Sequence, residues 1–174
     1  MINGLHRSFG TKEVLHGIDL QVNDGEIFGF IGHNGAGKTT TLRCTAGILS
    51  YDQGTITVNG TDLKKEPIKV KKQIAYLPDN PDLYEQLTGI RFLNFICDMY
   101  EVPEDIREEK IRRLAAEFEI YDNLGDPLKS YSHGMKQKTA VIAALVHDPK
   151  LLILDEPFVG LDPKASYMLK QKMK

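Results

Sequence analysis

The stretch Gly32-His33-Asn34-Gly35-Ala36-Gly37-Lys38-Thr39 decides how this chain is read. It fits G-x-x-x-x-G-K-[ST] at every fixed position. Glycines let the backbone curl so that successive N–H groups point inward, toward phosphate oxygens. Lys38 then sets a point charge on the β- and γ-phosphates, and the Thr39 hydroxyl suits Mg²⁺. The pattern carries this meaning only between a strand and a helix. Just before it, the apolar run EIFGFI at 26–31 predicts a short buried strand. Just after it, residues 39–49 predict a helix, with Leu42, Ala46 and Leu49 on one face. The positive end of that helix would reinforce the hold on phosphate.

Working outward, the N-terminal half reads as strands. VLHGIDLQV at 14–22 alternates as a half-buried strand does, and Asp24-Gly25 marks a turn. TITV at 55–58 runs into Asn59-Gly60, a hairpin signal, and IAYL at 74–77 is a short strand stopped by Pro78. The middle changes character. Phe92, Phe95, Ile96 and Met99 recur at helical spacing within 88–100, as do Ile111, Leu114, Ala115 and Phe118 within 104–118. Ser132 signals the start of a third helix over 132–146. The expected fold class is therefore α/β: a core of about residues 1–85 and 148–174, interrupted by a helical block of about 86–147.

KLLIL at 150–154 predicts a buried strand that delivers Asp155 and Glu156 at its C-terminal end. Open α/β sheets place ligands there. Adjacent strand residues face opposite ways, so the two carboxylates should differ in role. Asp155 would hold Mg²⁺, directly or through water, and Glu156 would polarise an attacking water as general base. Alone this is equally a strand ending in solvated acids. Paired with the phosphate loop, it points to a nucleoside triphosphatase.

Composition narrows the setting. The chain has 174 residues, with 22 Lys+Arg against 24 Asp+Glu and a net charge of −2. That balance gives no global reason to expect nucleic acid as a partner. Cys44 and Cys97, the two cysteines, make no disulfide framework and read as packing residues. His6, His16 and His147 lack metal-ligand spacing. His33 occupies a variable position of the phosphate loop. No apolar stretch approaches the roughly 18 residues of a membrane span, and Met1 to His6 shows no basic region followed by an apolar run, so no signal peptide is expected. The basic run from Lys64 to Lys72 reads as a solvated face, with attraction to a partner as the lesser alternative.

Tyr131-Ser132-His133-Gly134-Met135-Lys136-Gln137 discriminates among triphosphatases. Here the chain resembles the ATP-binding cassette (ABC) ATPases, whose signature is Leu-Ser-Gly-Gly-Gln. Ser132 and Gly134 match; His133 replaces the first Gly and Met135 the Gln. The resemblance covers about residues 5–163. It implies a P-loop NTPase (RecA-like) core with an antiparallel β subdomain and an inserted α-helical subdomain. It also implies a single domain over 1–174 that is incomplete at its C-terminus.

By that resemblance Phe9 stacks on adenine. Gly32, Asn34, Gly35, Ala36, Gly37, Lys38, Thr39 and Thr40 hold the phosphates, while Thr39 and Asp155 hold Mg²⁺. Ser132 and Gly134 meet a γ-phosphate across a head-to-tail dimer, and Asp162 of Gly160-Leu161-Asp162-Pro163 lies at that interface. Glu156, Lys38 and Asp79 form the implied catalytic set. Asp79 stands where the family has Gln and adds negative charge near phosphates. The implied ligands are ATP and Mg²⁺. The implied partners are a second ABC ATPase subunit and a separate transmembrane permease subunit, on the cytoplasmic face of the membrane. The motif wording is similar to that of bacterial exporters. A non-transport ABC ATPase acting on ribosomes or DNA is the alternative. Another is an ATP-binding remnant with little turnover, because none of the five histidines follows Asp162, where the family places a switch histidine.

Overall fold

The computed structural model describes residues 1–173 and divides into two compact units, Met1–Ala75 and Tyr76–Lys174. In the first, β1 (Ile2–Phe9) and β2 (Lys12–Leu20) form an antiparallel hairpin. Strand β1 also pairs antiparallel with β3 (Gln53–Val58), and β3 with β4 (Thr61–Asp62), giving the order β2-β1-β3-β4. Leu5, Leu15 and Ile56 are fully buried on this sheet. The β3–β4 turn is the expected one: Asn59 (φ 47°) and Gly60 (φ 73°) both take left-handed conformations, as a two-residue hairpin loop of the primed kind requires.

Helix α1 (Lys38–Thr45) follows the phosphate loop as expected but ends four residues early. The cause is Gly47, which adopts φ 67°. Its N–H donates to Cys44 O (3.0 Å) and the Ile48 N–H to Arg43 O (3.0 Å), a Schellman closure that satisfies the last carbonyls. Cys44 is buried, and that burial pushes its thiol up to about 11, so it packs and does not react. A five-residue helix, α2 (Pro67–Lys71), lies between β4 and β5 in sequence and buries Val70.

The run 26–31 does not form the expected strand. It has no regular structure and belongs to neither sheet; Ile27 and Phe28 are exposed and Ile31 is 96% exposed. Apolar, β-prone residues make a strand only where a neighbouring edge accepts their N–H groups and a facing layer covers their side chains. Neither condition is met at 26–31, so local preference loses.

Strand β5 (Ile74–Leu77) straddles the unit boundary and, in the second unit, pairs with β6 (Leu151–Leu154). The Asp155 backbone N–H donates to Leu77 O (2.9 Å), extending the pairing to the residue that carries the carboxylate. Three helices carry most of this unit's core: α3 (Gly89–Met99), α4 (Glu104–Glu117) and α5 (His133–Leu145). Helix α4 buries Ile111, Leu114 and Ala115, with Phe118 just beyond it, as its spacing predicts. Helix α3 buries Phe92, Leu93 and Cys97 but leaves Phe95 and Met99 exposed. Its stripe is rotated from the expected one because Leu93 and Cys97 face the side packed against α4 and α5. Helix α6 (Pro163–Lys172) closes the description, with Ala165 and Leu169 in the same core.

Candidate functional site

The phosphate loop lies wholly in the first unit. Gly35 (φ 82°) and Gly37 (φ 86°) are both left-handed. Gly37 is also sterically required: a Cβ there would lie 2.6 Å from Leu15 Cδ2 and 3.2 Å from Val14 O. The loop is thus pressed onto β2 at one point while Gly32 to Ala36 stay exposed. Thr39 and Thr40 stand half-buried in the first turn of α1, and Thr41 donates its hydroxyl to Gly37 O (2.9 Å). The Lys38 ammonium folds back and donates to Gly32 O (2.7 Å) and His33 O (3.1 Å). The loop's own carbonyls therefore hold the lysine over the loop.

Phe9 ends β1 with its ring exposed. The Arg7 guanidinium lies 4.8 Å from the ring centroid. Arg7 is in turn fixed by Asp52 (Nη1 to Oδ1, 3.1 Å), whose other oxygen accepts from the Ser8 N–H (2.7 Å). These contacts, the Ser8 N–H first, hold the Asp52 carboxyl below its ordinary range. Arg7 and Asp52 were not among the residues singled out from sequence. The signal was the i, i+2 spacing of Arg7 and Phe9, which puts both on one face of a strand.

The remaining site residues lie in the second unit. Asp155 is only 7% exposed, with the Tyr76 hydroxyl 3.5 Å from its Oδ2. Glu156 is exposed and takes φ 50°, a left-handed conformation that costs a non-glycine residue roughly 1–2 kcal/mol. The chain then turns tightly, the Val159 N–H donating to Glu156 O (3.2 Å). The turn aims the two carboxylates differently, one into the protein and one into solvent. Asp79 is exposed two residues beyond β5.

Ser132 caps α5, its hydroxyl accepting from the Met135 N–H (3.2 Å). Gly134 sits against the loop after β6: a Cβ there would lie 3.1 Å from Gly160 O. Asp162, in that loop, caps α6 by accepting from the Ala165 N–H (2.8 Å) and pairs with Lys138 (2.6 Å). The Ala165 N–H and then Lys138 hold its carboxyl below the ordinary range. Ser132, Gly134 and Asp162 thus come together at one end of α5. Lys138 and His133 belong to the same cluster; the sequence marks His133 only as a replacement for the signature's first Gly and does not single out Lys138. A lysine on a helix reads as solvated surface.

Thr39 and Asp155 supply a hydroxyl and a carboxylate, hard oxygen donors of the kind Mg²⁺ takes. Among the described residues no helix is long and apolar enough to cross a membrane.

The family model described as "ABC transporter" matches residues 15–159. Among curated relatives, the uncharacterized ABC transporter ATP-binding protein YdbJ of Bacillus subtilis is 36% identical over 162 residues, covering 93% of this chain and 52% of YdbJ. The linearmycin resistance ATP-binding protein LnrL of the same organism is 35% identical over 161 residues, 92% of this chain and 52% of LnrL. The ABC-type transporter ATP-binding protein EcsA, also from B. subtilis, is 34% identical over 172 residues, 99% of this chain and 70% of EcsA. The chain spans about half the length of the first curated relatives it matches. A solved structure titled "Structure of ATP binding subunit of ABC transporter" superposes with a TM-score of 0.94 at 35% identity, covering 99% of this chain and 72% of that one. Phosphate loop, carboxylate pair and capped signature helix agree with these similarities, and the chain belongs to the ABC transporter ATP-binding family.

Proposed function

We propose that this chain binds and hydrolyses ATP as the nucleotide-binding part of an ABC transporter, of the exporter kind. The observation that carries the reading is the Lys38 ammonium held over a glycine loop of left-handed turns, directly before a helix. In this reading Gly32, Asn34, Gly35, Ala36, Gly37, Lys38, Thr39 and Thr40 cradle the phosphates, and Phe9 stacks on adenine with Arg7 behind it. Thr39 and Asp155 hold Mg²⁺, which would neutralise charge on the β- and γ-phosphate oxygens. Glu156 accepts a proton from the attacking water, and its exposed, turned-out carboxylate suits that task. Asp79 serves as an additional polar group near the water. The functional division is a core of about 1–85 and 148–174 with a helical part of about 86–147.

Ser132 and Gly134 would meet the γ-phosphate held by a second ABC ATPase subunit, with Asp162 at the interface. Loss of that phosphate on hydrolysis removes the bridge and lets the pair open. A separate transmembrane permease subunit would convert opening and closing into transport, with this chain on the cytoplasmic side of the membrane.

A second reading, binding with little turnover, is favoured by one observation: the run 26–31 that leads into the phosphate loop lies outside both sheets. Phosphate release decides between them. The first reading expects MgATP hydrolysis abolished by Glu156→Gln with MgATP binding retained. Saturable binding with no release above the Glu156→Gln background supports the second. No binding at all refutes both.

A further inference from the structure

The first turn of α5 is interlocked with the loop after β6 by three contacts. A Cβ at Gly160 (φ 79°) would lie 2.5 Å from His133 Nε2 and 2.6 Å from its Cδ2, so the imidazole fills the space that a side chain at 160 would need. Gly134 approaches Gly160 O closely enough that a Cβ would sit at 3.1 Å. One turn further along α5, the Lys138 ammonium meets Asp162 at 2.6 Å. The Lys138 side chain is 12% exposed and that of Asp162 45%, so the ammonium is largely withdrawn from water while its partner stays wet. A mostly desolvated cation with a charge-assisted contact has few alternative positions.

One part of this lock, His133, departs from the family signature. The family signature has glycine at the position of His133, and glycine would leave the surface of Gly160 uncovered. The histidine therefore adds a steric wedge to an ionic tie. On one side of the lock stands Ser132, whose hydroxyl is fixed by the Met135 N–H. On the other stands the short turn running from Glu156, through Val159 N–H to Glu156 O and Leu161 N–H to Phe158 O (3.3 Å), to Asp162.

We propose that His133 and Lys138 are positioning residues that hold the α5 first turn and the 156–162 turn as one body. The role rests on the proposed function: Ser132 serves the partner's nucleotide and Glu156 serves this chain's own. A rigid link between them lets occupancy of one site set the geometry of the other.

The lock itself is tested without nucleotide, by amide hydrogen exchange on this chain and on His133→Gly, Lys138→Met and Lys138→Arg. Lys138→Met is expected to speed exchange by about tenfold at the Met135 and Lys136 amides and at the Leu161 and Ala165 amides. His133→Gly is expected to do so to a smaller degree at both, and Lys138→Arg to restore protection. Faster exchange confined to the substituted helix, or no rescue by arginine, overturns the lock. Its functional role is tested by sedimentation of the Glu156→Gln protein with MgATP. Adding Lys138→Met should weaken nucleotide-driven pairing by about tenfold while leaving MgATP affinity for the single chain unchanged. Equal pairing with and without Lys138→Met overturns the functional role. Failure of Glu156→Gln itself to pair counts instead against the proposed function, and the exchange result still decides the lock.

Discussion

Two apolar runs lead into the two phosphate-chemistry motifs, and they end in opposite states. LLIL in β6 is paired with β5 and delivers a buried Asp155 followed by a turned-out Glu156. EIFGFI at 26–31 leads to the phosphate loop with Ile27, Phe28 and Ile31 exposed and no strand partner. By composition the second is as good a strand as the first. The difference lies in the neighbours: β6 has an edge to bond and a helical core against which Leu154 packs, and 26–31 has neither. Strand formation is decided by what stands alongside. The phosphate loop nevertheless keeps its shape, because its geometry comes from Gly35 and Gly37 and from the Lys38 contacts to its own carbonyls.

The comparison is broken most sharply by truncating one apolar residue in each run. Ile153→Ala removes a buried side chain from β6 and should cost about 2–5 kcal/mol in chemical unfolding. Ile31→Ala should change stability by less than about 0.5 kcal/mol. Equal losses would mean that 26–31 is buried in solution. Next in size is Ser132→Ala, which removes the α5 cap and should cost about 1 kcal/mol, read in the same unfolding experiment. Glu156→Gly should run the other way. It relieves the left-handed backbone at 156 and should stabilise the chain by about 0.5–1 kcal/mol while ending any hydrolysis. A destabilised Glu156→Gly would show that the conformation carries no strain.

The smallest effect is one of pH. The Asp162 carboxyl lies below its ordinary value of 3.8, first through the Ala165 N–H and then through Lys138. Its contribution to stability is therefore fully present above that ordinary value, and is lost as pH falls through the depressed one. Asp162→Asn should make the acid limb of the stability profile shallower in that range. An unchanged acid limb would mean that the cap and ion pair do not form in solution.

Much of this arrangement was legible in the residues. Ser132 marks a helix start by its hydroxyl, Asn59-Gly60 marks the hairpin, and 104–118 shows its buried face by spacing alone. These signals are local, and local physics decides them. The early end of α1 was available in Gly47 but lost against the apolar spacing of Leu42, Ala46 and Leu49. The fate of 26–31, the rotation of the α3 stripe, and the lock of His133 and Lys138 on the 160–162 loop depend on which elements meet. Nothing within the segments themselves carries that information.

The proposed function requires a phosphate loop that is competent with only its own residues to shape it. Titration calorimetry of MgATP into this chain and into Lys38→Ala tests that most directly. Saturable binding is expected in the parent. Lys38→Ala should weaken it by about 100-fold, the scale of losing a charge-assisted contact to phosphate. Equal affinity in the two proteins, or no binding to either, would contradict the account.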